Sequence, residues 1–265
     1  SLLHLTGYDL TIDDLKGFRQ WGSRTAGHPE YGLTPGVEIT TGPLGQGFAS
    51  GVGMALAEQF LSARFNRPGL DIVNHFTYGI VSDGDLMEGV SHEAASLAGH
   101  LALGKLIYLY DDNRITIEGS TDIAFTEDRS QRFRAYNWHV QEVADGNDLE
   151  AIENAIHEAR AETLRPSLIA VRTHIGFGSP NKQDKASAHG EPLGQDELAL
   201  TKEKLGWPVD RPFFVPDEVR EHFATAVEKG IREEDAWKAR FHAYAEQEPD
   251  MAAEWDRFMK DVLPA

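Results

Sequence analysis

A chain of 265 residues is long enough for one large or two small domains. Its 43 acidic against 25 basic side chains leave a formal charge of −18 at pH 7, which excludes the basic face that nucleic-acid binding requires. It has no cysteine and no run of 18 apolar residues. Disulfides, thiolate chemistry and a membrane-spanning helix are therefore excluded, and the cytoplasm is the expected compartment.

The chain opens at Ser1 inside a helical pattern, with no Met and no charged leader, and is expected to be a piece whose beginning is missing. Residues 11–20 predict a short helix, with Thr11 as N-cap and Asp13 and Asp14 in its first turn. Residues 21–41 carry several Gly and Pro and little periodicity, as an ordered functional loop does. Thr41-Gly42-Pro43-Leu44-Gly45-Gln46-Gly47 then opens a long helix to about Phe65. Glycines at a helix start expose backbone N–H groups to an anion. A dinucleotide-binding turn is the rival reading, but the order is not Gly-x-Gly-x-x-Gly, and no Tyr has a Lys four residues on.

Residues 76–81 predict a strand ending in Ser82-Asp83-Gly84, residues 86–103 a helix, and residues 105–110 a second strand ending in Asp111-Asp112-Asn113. Strand, helix, strand is a βαβ unit, so both polar clusters belong at the carboxyl edge of a parallel sheet, where open α/β sheets bind ligands. Asp83 and Asn113 are 30 residues apart, one crossover. Two hard oxygen ligands on one edge, with Gly84 allowing close backbone approach, suit Mg2+ holding a diphosphate. Each piece alone also reads as a plain turn or a helix cap. The helix at 86–103 is apolar around most of its circumference and is expected to be buried on most sides, its small residues admitting a second helix. Glu88 and Glu93 on it are five residues apart, about 140° around the axis. At least one of the two is expected to be buried.

Beyond Gly119, residues 129–136 look helical and residues 139–143 alternate like a strand. Asp148 caps a helix over 149–162 with Leu149, Ile152, Ile156 and Ala159 on one face, and residues 167–173 form an apolar strand. The alternation predicts an α/β fold, a doubly wound, mainly parallel sheet with helices on both faces. The loop at 176–182 follows a strand's carboxyl end and leads to Ala188-His189-Gly190. From residue 195 onward a charged helical pattern predicts an appendage.

Six ordered motifs resemble transketolase: Gly27-His28-Pro29-Glu30, residues 41–47, 82–89 and 110–119, Ile175-Gly176-Phe177-Gly178-Ser179, and His189-Gly190. Ser82 stands where the general thiamine diphosphate signature has Gly. The resemblance implies the thiamine diphosphate-binding fold, with thiamine diphosphate and Mg2+ (or Ca2+) as cofactors. It implies transfer of a two-carbon ketol unit from a ketose phosphate to an aldose phosphate. Asp83, Asn113 and the carbonyl of Ile115 are the implied metal ligands, and Gly84 approaches the diphosphate. Gly42, Leu44, Asp111, Ile115 and Ile117 are the further implied cofactor contacts. His28 and His189 face the sugar, His189 touching the cofactor as well, and Glu88 joins a proton-sharing network between subunits. Residues 1–194 are then a diphosphate-binding domain lacking its N-terminal segment. Residues 195–265 lead to a second, pyrimidine-binding domain or subunit, in an expected homodimer. A cofactor- or partner-binding domain without turnover, and a dihydroxyacetone synthase, are the alternatives.

Overall fold

The computed structural model describes residues 1–260, 262 and 263; residue 261 and residues 264–265 lie outside them. Two compact units interleave along the chain. One comprises residues 41–56 and 76–214; the other comprises residues 1–40, 57–75 and the described part of 215–265.

The larger unit is built on four strands, β1 (Thr77–Ser82), β2 (Leu106–Asp112), β3 (His139–Val143) and β4 (Ser167–Arg172), all parallel in the order β1-β2-β4-β3. A parallel sheet must be covered on both faces, and side-chain alternation does this here. Leu106, Tyr108, Tyr110 and Leu168 face one side, packing with Phe48 and Val52 of α3 (Gln46–Phe65), Ala95 and Ala98 of α5 (Gly89–His100), and Phe133 of α6 (Arg129–Ala135). Ile107, Ile169 and Val171 face the other side, against Ala155 and Ala159 of α7 (Leu149–Ala161). The expected α/β fold with helices on both faces holds. β1 and β3 are the two edge strands among the described residues, and Tyr78 and Ile80 of β1 are 49% and 80% exposed.

Three sequence expectations change. The single helix at 86–103 is two, α4 (Asp83–Met87) and α5, because Glu88 adopts an extended ψ of 138° between them. Only one side of α5 is buried, through Ser91, Ala95, Ala98 and Gly99, while Leu97 is 46% exposed. The small residues at 95, 98 and 99 thus serve this chain's own core. Leu149 does not join the apolar face of α7; as the first residue after the Asp148 cap it precedes the turns that meet the sheet, and it is 76% exposed.

The smaller unit holds α1 (Leu2–Leu5), α2 (Ile12–Lys16), the later turns of α3, α9 (Asp217–Gln247) and α10 (Pro249–Met259). A reciprocal Thr11–Asp14 capping box starts α2, and Gly17 ends it earlier than the sequence suggests. The loop at 21–41 is tied to α2, where Thr25 Oγ1 donates to the Asp14 carbonyl (2.5 Å), and to itself, where Thr34 Oγ1 donates to the Arg24 carbonyl (2.6 Å). Ile72, Val73, Tyr244 and Ala252 form the core of this unit with Trp237, Phe241 and Trp255. Trp237 Nε1 donates to the Ile72 carbonyl (2.9 Å), and Arg64 pairs with Glu254 at 2.8 Å. α9 and α10 are the expected C-terminal helical appendage. α8 (Gln195–Lys204) groups with the sheet. No helix among the described residues is long and apolar enough to cross a membrane.

The sheet and α3 are locked by Tyr108. Its ring stacks on Phe48 at 4.5 Å, and its hydroxyl donates to the Phe48 carbonyl at 2.7 Å. A Cβ at Gly51 would come within 2.0 Å of that hydroxyl oxygen. Gly51→Ala is expected to cost about 1–3 kcal/mol by overpacking. Tyr108→Phe removes the colliding oxygen and one hydrogen bond. Urea unfolding of the double variant should therefore show a loss smaller than the sum of the two single losses.

Candidate cofactor and metal site

The site begins with strand register. β1 and β2 pair so that Ser82 lies beside Asp111, which sets Asp83 against the loop after β2. Asp83 is 2% exposed. Its Oδ1 accepts from the Tyr110 hydroxyl and its Oδ2 from the backbone N–H of Arg114 (3.1 Å). Arg114 adopts a left-handed φ of 63°, which is how the chain turns that N–H inward. Burial pushes the Asp83 carboxyl above its usual range, against the pull of these two hydrogen bonds, and Asp112 nearby adds to the rise. Arg129 is the local cation: it pairs with Asp112 at 3.1 Å and donates to the Tyr110 hydroxyl at 3.2 Å. Tyr110, mainly through burial and then through Asp83, is held strongly in its protonated form.

Asn113 accepts from the backbone N–H of Ile115 (2.9 Å), an Asx turn that shapes the loop. Ile115 is bridged to Ser120 and half-buried, and Ile117 is exposed. Asp111 accepts from the Thr173 hydroxyl, so it also ties β2 to the end of β4. Across the turn, Leu44 lies over Gly84: a Cβ there would meet Leu44 Cδ1 at 3.2 Å. Gly42, with φ 145°, leads into the same turn. Asp83, Gly84, Leu44 and the 113–115 loop are thus gathered at one end of β1 and β2. An open cleft of about 760 Å³ lies at the ends of β2, β4 and β3. Arg114, Arg129 and Arg172 share its lining with Asp112, Asp128 and Glu142, so it has no net pull on an anion.

The remaining candidates are exposed. His28 is exposed in the loop of the smaller unit. His189 is exposed in the larger unit, directly after a 3-10 turn at Ala186–Ala188. Glu88 and Glu93 are both exposed, which overturns the expectation that one is buried. The 140° separation holds only along one continuous helix, and the backbone breaks at Glu88.

Sequence reasoning missed two carboxylates that hold the site's loops. Asp85 accepts from the backbone N–H groups of Gly45 and Ser82, both at 3.0 Å. Glu197 on α8 accepts from the Ser179 hydroxyl, the Asn181 N–H (2.8 Å) and Asn181 Nδ2 (2.9 Å), anchoring the loop after β4. An acid adjoining a glycine signature was the available signal for Asp85. Nothing in the spacing pointed to Glu197.

A parallel α/β sheet with a buried acid, a glycine turn and an Asx loop at its carboxyl edge is the architecture of a phosphate-ligand domain. Residues 1–264 match the family model for the thiamine diphosphate binding domain of transketolase, and the chain belongs to that family. It is 55% identical over 265 residues to the transketolase of Geobacillus stearothermophilus, a match covering 100% of this chain and 40% of that protein. Transketolase 1 of Escherichia coli K12 shows the same identity and coverage. A Pichia stipitis transketolase solved in complex with sedoheptulose-7-phosphate superposes with a TM-score of 0.96 at 47% identity, over 100% of this chain and 39% of that one. The Leishmania mexicana enzyme gives 0.96 at 50% identity, over 99% and 39%. The chain therefore spans about two fifths of the length of these relatives.

The Glu197 anchor has a pH signature. Hydrogen bonds from Ser179 and Asn181 lower its carboxyl from an ordinary 4.5 to about 2. A carboxyl whose folded value is depressed stabilises above its unfolded value, and that contribution fades as pH falls toward the folded one. Glu197→Gln should unfold more easily than wild type at pH 7. The difference in urea midpoint should shrink between about pH 4.5 and 2.

Proposed function

We propose that this chain supplies the diphosphate and metal half of a transketolase active site. The observation that carries the reading is the buried Asp83 carboxylate beside the Asn113 loop, at the carboxyl edge of a sheet whose family binds thiamine diphosphate. The donor set fits a hard cation. Each Asp83 oxygen accepts one hydrogen bond and keeps lone pairs free, and Asn113 offers an amide oxygen in the loop that carries Ile115. A cation there would also offset the burial of the Asp83 charge. Asp83, Asn113 and the Ile115 carbonyl are the proposed ligands of Mg2+ (or Ca2+). Gly84 would lie against the diphosphate, and Gly42, Leu44, Asp111, Ile115, Ile117 and His189 would border the rest of the cofactor.

Thiamine diphosphate, when bound, supplies the carbanion chemistry that allows a ketose to be cleaved next to its carbonyl. The residues of this chain bind, orient and neutralise. Asp83 and Asn113 fix the anionic end, Leu44 and Ile117 give apolar walls, and His28 and His189 offer hydrogen bonds to sugar hydroxyls. The proposed substrates are ketose and aldose phosphates, and relatives solved with sedoheptulose-7-phosphate and fructose-6-phosphate support that class. The aminopyrimidine half of the site would come from a second domain or subunit. Glu88, the exposed N-cap of α5, and the uncovered side of α5 with Glu93, Leu97 and His100 would meet a second copy in a homodimer acting in the cytoplasm on the pentose phosphate pathway. An exposed leucine amid these polar side chains supports the placement.

Calorimetry with thiamine diphosphate and Mg2+ tests the site: Asp83→Ala should weaken binding at least tenfold, and unchanged affinity would refute it. The 265 residues alone should not transfer ketol units, with transfer appearing when the second domain is supplied. Binding without turnover under that condition would instead favour a non-catalytic cofactor-binding module. In the full-length protein, Leu97→Asp should shift the sedimentation profile from dimer toward monomer.

A further inference from the structure

We propose that Asp85 is a positioning residue: it fixes the glycine turn against the end of β1 and so sets the gap between Leu44 and Gly84. The inference rests on the cofactor reading above and adds a residue to it.

The Asp85 carboxylate divides its work. Oδ2 accepts from the Ser82 backbone N–H (3.0 Å) and the Ser82 hydroxyl (3.3 Å), three residues back. That is the ordinary duty of an acid at the third position of a helix. Oδ1 does something α4 does not need. It accepts from the Gly45 N–H at 3.0 Å, joining segments forty positions apart in the sequence. Ser91 Oγ donates to the Asp85 carbonyl (2.6 Å) and steadies the same residue from α5.

Gly45 sits where this hold matters. Its φ is 76°, and a Cβ would lie 2.8 Å from Glu88 Cβ and 2.9 Å from both Ser91 Oγ and Val90 Cγ1. The turn is thus seated on the α4–α5 break with no side chain of its own to grip it. The Asp85 bond supplies that grip. One residue earlier, Leu44 stands over Gly84, and Gly84 follows Asp83 directly. Releasing Gly45 lets Leu44 move, while Asp83 stays fixed by Tyr110 and the Arg114 N–H where β1 runs into α4. Every partner of this carboxylate is a donor, so an acceptor at both oxygens is required. Asn would turn an NH2 group toward one of those donors.

The test uses the full-length protein without cofactor. Deuterium uptake is followed in the peptide carrying Gly45, with the β2 peptide as internal reference. In Asp85→Asn and Asp85→Ala, Gly45 exchange should rise about tenfold while β2 is unchanged. Calorimetric affinity for thiamine diphosphate with Mg2+ should fall about tenfold. A lower Tm with Gly45 exchange and affinity as in wild type would mean that Asp85 only caps α4, and would overturn the proposal. Exchange rising equally in β2 would overturn it too, because the effect would then be general. Failure of the cofactor reading itself shows separately, as wild-type affinity in Asp83→Ala.

Discussion

The site depends on keeping a carboxylate almost out of water at the end of a strand. Asp83 has two donors, a tyrosine hydroxyl and one backbone N–H, and the nearest guanidinium is already shared with Asp112. Such a group stays in place only if the surrounding geometry leaves it no alternative. The β1–β2 register provides that geometry. With Ser82 beside Asp111, the backbone beyond β2 must pass Asp83, and the left-handed turn at Arg114 aims an N–H at it. The sheet and the site are one construction.

The abundance of acids gains a structural meaning from this. Three carboxylates act as clamps on loops: Asp85 on the glycine turn, Asp111 on the end of β4 through Thr173, and Glu197 on the loop that follows it. Each accepts hydrogen bonds from N–H or O–H donors. Loops at the carboxyl edge of a parallel sheet lack the ladder that orders strands, and charge-assisted bonds from their N–H and hydroxyl groups take its place.

What could be read from the sequence was whatever is periodic or local. Alternating apolar strands, the Asp148 cap and the crossover spacing of Asp83 and Asn113 are such features, and they place the edge where the ligand residues gather. Two of the departures share a cause. Residues 86–103 read as one helix because no proline or long polar run interrupts them; the extended backbone at Glu88 lies against the glycine turn. Asp85 and Glu197 escaped notice because their partners lie far away in sequence or in irregular loops. The expectation that Glu88 or Glu93 is buried rests on the same continuity.

The uncovered edge of β1 has a consequence for the chain as a physical object. Tyr78 and Ile80 present apolar surface beside a strand whose outer hydrogen-bonding groups have no neighbour among the described strands. Such an edge is a template for another strand. Opposing it is the charge of −18, which makes copies repel one another. The two effects respond differently to electrolyte. Repulsion fades once the Debye length shortens to about 8 Å at physiological ionic strength, whereas strand adhesion does not. The colloidal behaviour of this polypeptide is therefore a contest between a sticky rim and a screened halo of charge, and dissolved salt decides which prevails.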